Sequence, residues 1–140
     1  MNGIFERTDC AAVATFDVVA NKWSSLVVYA LAQGARRNGE LRALIPTISQ
    51  KVLTETLRRL ERDGLVSRTD TKCHPPKVAY QLTALGGDAQ QLLSDICRWG
   101  KAHLPEVSQA RRTFDEQWPD GPRFKSVEWT PSAARPLVEA

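Results

Sequence analysis

The segment TISQKVLTETLRRLERDG, residues 47–64, has the repeat of a single amphipathic helix. Val52, Leu53, Leu57 and Leu60 recur at spacings that place them together on one side of a helix. The opposite side is polar and mainly basic, with Gln50, Lys51, Thr54, Glu55, Arg58, Arg59 and Arg62. The pattern therefore predicts a helix that packs its leucines inward and presents a charged surface outward.

Both ends of this helix can be placed from its flanking residues. Thr47 opens a Thr-Ile-Ser-Gln capping box, while Ser49 alone is an equally suitable N-cap. Asp63-Gly64 provides the end, because a glycine commonly follows the last helical turn. The helix therefore starts after either Thr47 or Ser49.

A shorter helix is predicted immediately before it, from Gly39 to Ile45, with its apolar side chains turned inward. Those side chains are Leu41, Leu44 and Ile45. Pro46 ends this helix, because a proline disfavours helical geometry at the residue before it. Two helices joined by a tight turn form a helix-turn-helix.

Two more helices are predicted upstream. The first runs from Cys10 to Ala20, with Val13 and Phe16 on its apolar side. Asn21 caps the second, which Gly34 ends. The paired Arg36-Arg37 then form a connector or a strand with a single bridge.

Downstream, the chain predicts a hairpin and a long helix. The strands are Leu65–Thr71 and a second that alternates from Val78 to Thr83, joined by a basic tip over 72–77. The last helix is predicted from Ala84 to His103, its first turn weakened by two glycines. Its apolar face comprises Leu85, Ala89, Leu92, Leu93, Ile96, Trp99 and Gly100.

This order of elements predicts a mainly α fold of the α+β class, a winged helix-turn-helix. From Pro105 onward the chain holds five prolines, which oppose regular structure, but also aromatics such as Trp118, Phe124 and Trp129, which oppose plain disorder. We expect an N-terminal arm over 1–9, the folded domain over 10–104, and an extension of unknown role over 105–140. A helix over 106–117 is one form that the extension can take.

The basic charge is concentrated in one part of the chain. The net charge is +3, yet residues 36–77 alone carry ten Lys/Arg and five Asp/Glu, a balance of +5, which leaves −2 elsewhere. A local basic excess is typical of a surface that meets a polyanion, and on charge alone a solvated basic face is an equal alternative. Architecture and charge together favour double-stranded DNA.

The predicted DNA contacts follow from the geometry of a helix in the major groove. Glutamine pairs with adenine, and lysine with guanine or phosphate, near the start of such a helix. A helix N-terminus suits a phosphate oxygen, and a basic hairpin suits flanking phosphates. The residues expected to contact DNA are Arg36, Arg37, Ser49, Gln50, Lys51, Thr54, Arg58, Lys72, His74 and Lys77.

Other classes of protein have little support in the sequence. The three cysteines form no CxxC pair, and the two histidines lack metal-ligand spacing, so no metal site, cofactor or catalytic role is expected. No apolar run is long enough to cross a bilayer, and the first residues do not resemble a signal peptide. We expect a cytoplasmic protein that is not an enzyme and has no membrane partner.

Several strings of residues resemble HxlR-type regulators, which are relatives of the MarR group. The resemblance covers roughly residues 10–104. Its motifs are Cys10-x12-Trp23, Arg36-Arg37-x-Gly-Glu-Leu41, Pro46-x-Ile-Ser-Gln-Lys-Val-Leu-Thr54, Leu57-Arg-x-Leu-Glu-x-Asp-Gly-Leu65-Val66, Tyr80-x-Leu-Thr-x-Leu-Gly86 and Trp99-Gly100. It implies a homodimeric transcription regulator, joined through its first and last helices, that reads a pseudo-palindromic operator. Asn38 and Ala11 depart from the aromatic and the proline that the family usually has there.

The same resemblance implies a sensing role for Cys10. Many family members detect oxidants, quinones or aldehydes through a cysteine at this position, and a helix N-terminus lowers the pKa of a thiol. A small residue in a dimer interface is the alternative for Cys10. Cys73 is expected to be incidental, and Cys97 to pack in the core.

Two further functions stay open. One is gating by a small apolar ligand between the helices, with Trp23 and Trp99 as candidate pocket residues. The other, from a different class, is a winged helix that binds an acidic protein partner.

Overall fold

In the computed structural model, the described chain comprises residues 11–127 and 129–130. It divides after Leu93 into two compact units, each of which is described by itself. The elements run in the order α1 (Ala11–Val19), α2 (Lys22–Leu31), β1 (Arg36–Arg37), α3 (Asn38–Leu44), α4 (Gln50–Arg62), β2 (Val66–Thr71), β3 (Lys77–Leu82) and α5 (Ala84–Gln117). The fold is α+β, as predicted.

The first unit has one apolar core, formed mainly by α2, α3 and α4. Leu41, Leu53, Leu57 and Leu60 are fully buried. The other core residues are Val19, Val27, Val28, Ala30, Leu31, Ile45, Ile48, Leu65, Val66 and Leu93. Because burying one such side chain contributes about 1.5–3 kcal/mol, this cluster fixes the three helices against each other.

The ends of α4 follow from side-chain and backbone geometry. Ser49 is the N-cap, and its hydroxyl accepts a hydrogen bond from the Val52 amide at 3.2 Å. Of the two predicted caps, Ser49 is therefore the one used, and Thr47 is not. At the other end Gly64 has φ +77°, a left-handed conformation that glycine adopts without strain.

The sheet has three antiparallel strands in the order β1-β3-β2. Residues 66–71 of β2 pair with residues 77–82 of β3, from Val66 opposite Leu82 to Thr71 opposite Lys77. Arg36 and Arg37 pair with Tyr80 and Ala79, so the short connector is a strand on the outer edge of the hairpin. This confirms the predicted wing.

The start of α5 is fixed by a close backbone approach. The Thr83 hydroxyl donates a hydrogen bond to the Gly64 carbonyl at 2.6 Å and accepts one from the Gly86 amide at 3.1 Å. Gly86 is buried, and a Cβ at this position would collide with the Leu65 carbonyl. Gly86 is therefore not merely a weak helix former, because only glycine fits there.

The second unit begins at Ser94 within α5, and the predicted end of that helix at His103 is wrong. The helix continues through Pro105 to Gln117. A proline removes one amide donor, but the following turns still form their own bonds. Beyond the helix, the chain turns at Gly121, whose amide donates to the Trp118 carbonyl at 2.9 Å.

Several apolar side chains that were expected to be inward are exposed. Leu44 is 40% exposed, because α3 buries Leu41 and its C-cap residue Ile45 instead. Cys97 is exposed rather than packed in the core. Of the apolar residues predicted to lie on the inward faces of α1 and α5, the large exposed ones are Val13, Phe16, Leu85, Leu92, Ile96 and Trp99. Only Leu93 of the predicted α5 face is fully within the core.

Replacing either of the two adjacent glycines of α5 with alanine should change the stability in opposite directions. Gly86→Ala should lower the free energy of unfolding by about 1–3 kcal/mol, because its methyl group meets the Leu65 backbone. Gly87→Ala meets nothing within 4 Å and should raise it by up to about 1 kcal/mol. Urea unfolding of both variants measures the difference, and equal effects of the same sign would contradict the close approach.

Candidate DNA-binding surface

The outward side of α4 is formed by polar side chains that the core does not use. Gln50, Lys51 and Arg58 are exposed, and Thr54 is half-buried. The Thr54 hydroxyl donates to the Gln50 carbonyl at 2.9 Å and accepts from Gln50 Nε2 at 3.2 Å. The side-chain amide of Gln50 is thus held beside Thr54. Its Oε1 has no hydrogen-bond partner among the described residues.

The charged side chains on this surface form only weak ion pairs with each other. Lys51 Nζ lies 4.0 Å from a Glu55 carboxylate oxygen, and the Lys51 side chain is 84% exposed. A pair this exposed contributes little to stability. Arg58 has no ion pair within the described ranges 11–127 and 129–130. Both cations are therefore available to an anionic partner.

The tip of the wing is basic and exposed, as predicted. Lys72 and His74 lie in the turn, and Lys77 opens β3. The Thr71 hydroxyl donates to the Lys77 carbonyl at 2.9 Å and accepts from the Lys77 amide at 3.2 Å, which closes the hairpin below the tip. These contacts hold the base of the turn while leaving its cationic groups in solvent.

The two arginines before α3 have different environments. Arg37 is exposed and is the N-cap residue of α3, with its amide donating to Glu40 Oε2 at 2.7 Å. Arg36 is half-buried, and its Nε is the only buried side-chain nitrogen or oxygen without a hydrogen bond among the described residues. An unsatisfied buried donor is costly, so an incoming acceptor at Arg36 would relieve that cost.

The cysteines and tryptophans singled out from the sequence differ in exposure where the structure describes them. Cys10 is outside the described residues. Cys73 is exposed in the hairpin. Trp99 is 58% exposed in the second unit, with its ring centroid 4.9 Å from that of His103. Trp23 is half-buried in the first unit.

Sequence reasoning missed a cleft beside the outward face of α4. It has a volume of about 190 Å³ and lies between the start of α2 and the side of α4 that carries Val52, Thr56 and Arg59. Trp23 lines it, which the sequence did anticipate as a pocket residue. On α4, the only sequence feature that indicated the cleft was the helical spacing of residues 52, 56 and 59. The polar face of the same helix is the more pronounced feature, and it was interpreted instead.

The described residues provide neither a metal-ligand cluster nor a membrane-spanning helix. No cluster of three or more His, Cys, Asp or Glu there could hold a metal ion. No described helix is both long enough and apolar enough to cross a membrane.

The helix pair with its adjoining wing defines the winged helix-turn-helix class. Residues 18–108 match the model of the HxlR-like helix-turn-helix family, and the chain belongs to that family. The expectation of a helix-turn-helix transcriptional regulator rather than an enzyme is thereby confirmed.

Individual relatives agree with this assignment. The uncharacterized HTH-type transcriptional regulator YkvN of Bacillus subtilis is 43% identical, over 68% of this chain and 80% of its own. A MarR-family regulator structure from Enterococcus faecalis superposes with a TM-score of 0.66 at 33% identity, covering 78% of this chain and 99% of the other. The redox regulator HypR in its oxidized form gives 0.63 at 36%, covering 66% and 96%.

Proposed function

We propose that this regulator binds duplex DNA as a homodimer and reads a pseudo-palindromic operator with α4 in the major groove. The observation that carries the proposal is the division of α4 into a fully buried leucine face and a polar face open to solvent. A helix with such a face fits the width of the major groove. The proposal includes a cytoplasmic location, where the operator DNA would be reached.

Each contact has a chemical role in this proposal. Gln50 and Thr54 read base edges, and Lys51 contacts guanine or phosphate. The Ser49 hydroxyl, the amides of the first turn and Arg58 bind backbone oxygens. Lys72, His74 and Lys77 follow the flanking phosphates from the wing, and Arg36 and Arg37 clamp the backbone.

The dimer is supported by the exposed apolar rows on α1 and α5. Val13 and Phe16 repeat at a helical spacing on α1. On α5, Leu85, Leu92, Ile96 and Trp99 recur at spacings that place them along one side of the helix. Exposed apolar patches of this kind mark protein interfaces, and a second copy of the same chain is the occupant that the operator symmetry requires.

Oxidation of Cys10 is proposed as the gating signal. The position matches the cysteine that the family resemblance identifies, and the redox regulator HypR is among the structural neighbours. Gating by a bound small molecule is the second candidate. The cleft beside Trp23 favours it, because a ligand there would touch α4 itself.

A protein-binding winged helix is the competing class, and DNA binding separates the two. In a mobility-shift titration with duplex from upstream of the gene, binding should be specific at physiological salt. With about four phosphates neutralised per protomer, log K should fall against log salt with a slope of about −7. A slope near zero would support the protein-interaction class.

The same titration tests the dimer with a matched pair of variants. Ile96→Glu, on the exposed α5 row, should give monomers in sedimentation and weaken operator binding. Gln109→Glu, on an exposed polar position of the same helix, changes the charge equally and should do neither. Unaltered dimers with Ile96→Glu would reject the α5 interface.

Base reading and backbone contact should be separable by mutation. Gln50→Ala should alter the preferred base at one operator position, at a cost of about 1–3 kcal/mol for the cognate pair. Lys72→Ala, at the exposed wing tip, should weaken binding to all sequences alike and reduce the salt slope by about two, one contact for each protomer. Selection from a randomised operator library measures both. A uniform loss with Gln50→Ala would remove this residue from base reading.

The redox hypothesis depends on a single thiol. Diamide or a quinone should weaken operator binding by the native protein, and Cys10→Ser should abolish that response. Cys73→Ser and Cys97→Ser are the matched controls, since both thiols are exposed and can react. A response that persists in Cys10→Ser and disappears in either control would transfer the sensing role to the other cysteine.

A further inference from the structure

The end of α5 and the segment after it form a groove within the second unit. The helix contributes Val107, Ala110, Arg111, Phe114 and Asp115, and the following segment contributes residues 118–119 and 121–126. The family match ends at residue 108, so all of this lining except the first residue lies outside the shared domain. Membership of the family therefore assigns the groove no role.

A close turn brings the two sides of the groove together. The Trp118 amide donates to the Phe114 carbonyl at 3.0 Å, and the Gly121 amide then donates to the Trp118 carbonyl at 2.9 Å. A Cβ at Gly121 would lie 3.0 Å from that carbonyl oxygen, so glycine permits the chain to turn this closely. After the turn, residues 122–126 line the same groove as the last turns of α5.

The aromatic side chains of the groove are exposed to water. Trp118 is 62% exposed and Phe124 is 75% exposed. The rings of Phe114 and Trp118 are stacked, with centroids 6.4 Å apart and planes inclined by 25°, so they form one continuous apolar surface. A cluster of large exposed apolar side chains marks a surface that binds a partner.

The cations beside these rings are not neutralised within the described chain. Arg111, Arg123 and Lys125 line the groove together with one carboxylate, that of Asp115, which leaves the lining with a charge of +2. None of the three cations forms an ion pair within residues 11–127 and 129–130. An anionic partner is therefore the one that complements the groove.

Size and charge favour one kind of occupant over the others. The groove has a volume of about 1320 Å³, above the roughly 300–1,000 Å³ typical of small-molecule sites. A second copy that presented the same surface would bring like charges together. Duplex DNA offers phosphates, but its base faces are stacked inside the helix, which would leave Trp118 and Phe124 without an apolar partner.

We propose that this groove binds an acidic amphipathic segment of another protein. The carboxylates of the segment pair with Arg123 and Lys125, and its apolar side chains cover Trp118 and Phe124. Tryptophan and arginine are the residues that most often dominate binding at protein interfaces. The inference gives the extension a role that neither DNA binding nor dimer formation requires.

A synthetic peptide tests the chemistry of the partner. The probe is a short, fluorescently labelled helical peptide with glutamates on one face and leucines on the other, titrated against the full chain without DNA. One control has glutamine in place of every glutamate, and the other has serine in place of every leucine. Each control should bind at least about tenfold more weakly, because each lacks one of the two complementary features. Equal binding of probe and glutamine control, or no binding of the probe, would overturn the proposal.

Variants of the lining test the assigned groups. The double variant Arg123→Gln/Lys125→Gln should weaken the probe by about tenfold or more. Arg112→Gln is the matched control, since this exposed arginine contacts Gln109 and does not line the groove, and it should leave the affinity unchanged. Phe124→Ala should weaken the probe without lowering the urea unfolding midpoint, because the ring is exposed. Undiminished affinity in the double variant would reject the site.

Two further measurements separate this partner from the other occupants. Duplex DNA of unrelated sequence should not displace the peptide, and displacement would assign the groove to nucleic acid instead. Phe124→Glu should leave the sedimentation of the chain unchanged, and a change of oligomeric state would assign the groove to a second copy. Failure of the peptide to bind while the operator still binds would reject this inference and leave the proposed function intact.

Discussion

The rest of the structure depends on how α4 divides its two faces. Leu53, Leu57 and Leu60 are buried against α2 and α3, and their packing fixes the helix in position. That same packing turns Gln50, Lys51 and Arg58 to solvent without any use in the core. Because one set of leucines both stabilises the fold and orients the polar face, a core variant cannot be expected to change one without the other.

The elements that depend on local signals were predictable from sequence. Ser49, Gly64 and the alternating residues of β3 act on their immediate neighbours, and each predicted boundary was correct within a residue or two. The predictions that were wrong concern features that depend on tertiary contacts. Leu44 is exposed because Ile45, beyond the helix, takes the inward position, and α5 continues through Pro105 although the proline predicted a stop.

The candidate site also has a part that local sequence signals predict and a part that depends on tertiary contacts. The polar face of α4 lies within a single helix, so helical spacing was enough to predict it. The cleft requires α2 and α4 to come together across some thirty residues of sequence, and spacing carries no information about that contact. Trp23 was anticipated only as one half of a pocket with Trp99, whereas its partners across the cleft are Val52, Thr56 and Arg59.

The position of the cleft relative to α4 has a consequence for regulation. The cleft residues 52, 56 and 59 and the proposed base-contacting residues 50, 51 and 54 lie on the same thirteen-residue helix, which a packed core prevents from deforming locally. A ligand that tilts α4 by its flank must therefore tilt its outward face as a rigid body. Signal and response would share one helix, so coupling between them would need no change elsewhere in the fold, whereas a signal at Cys10 would have to reach α4 through α1 and α2.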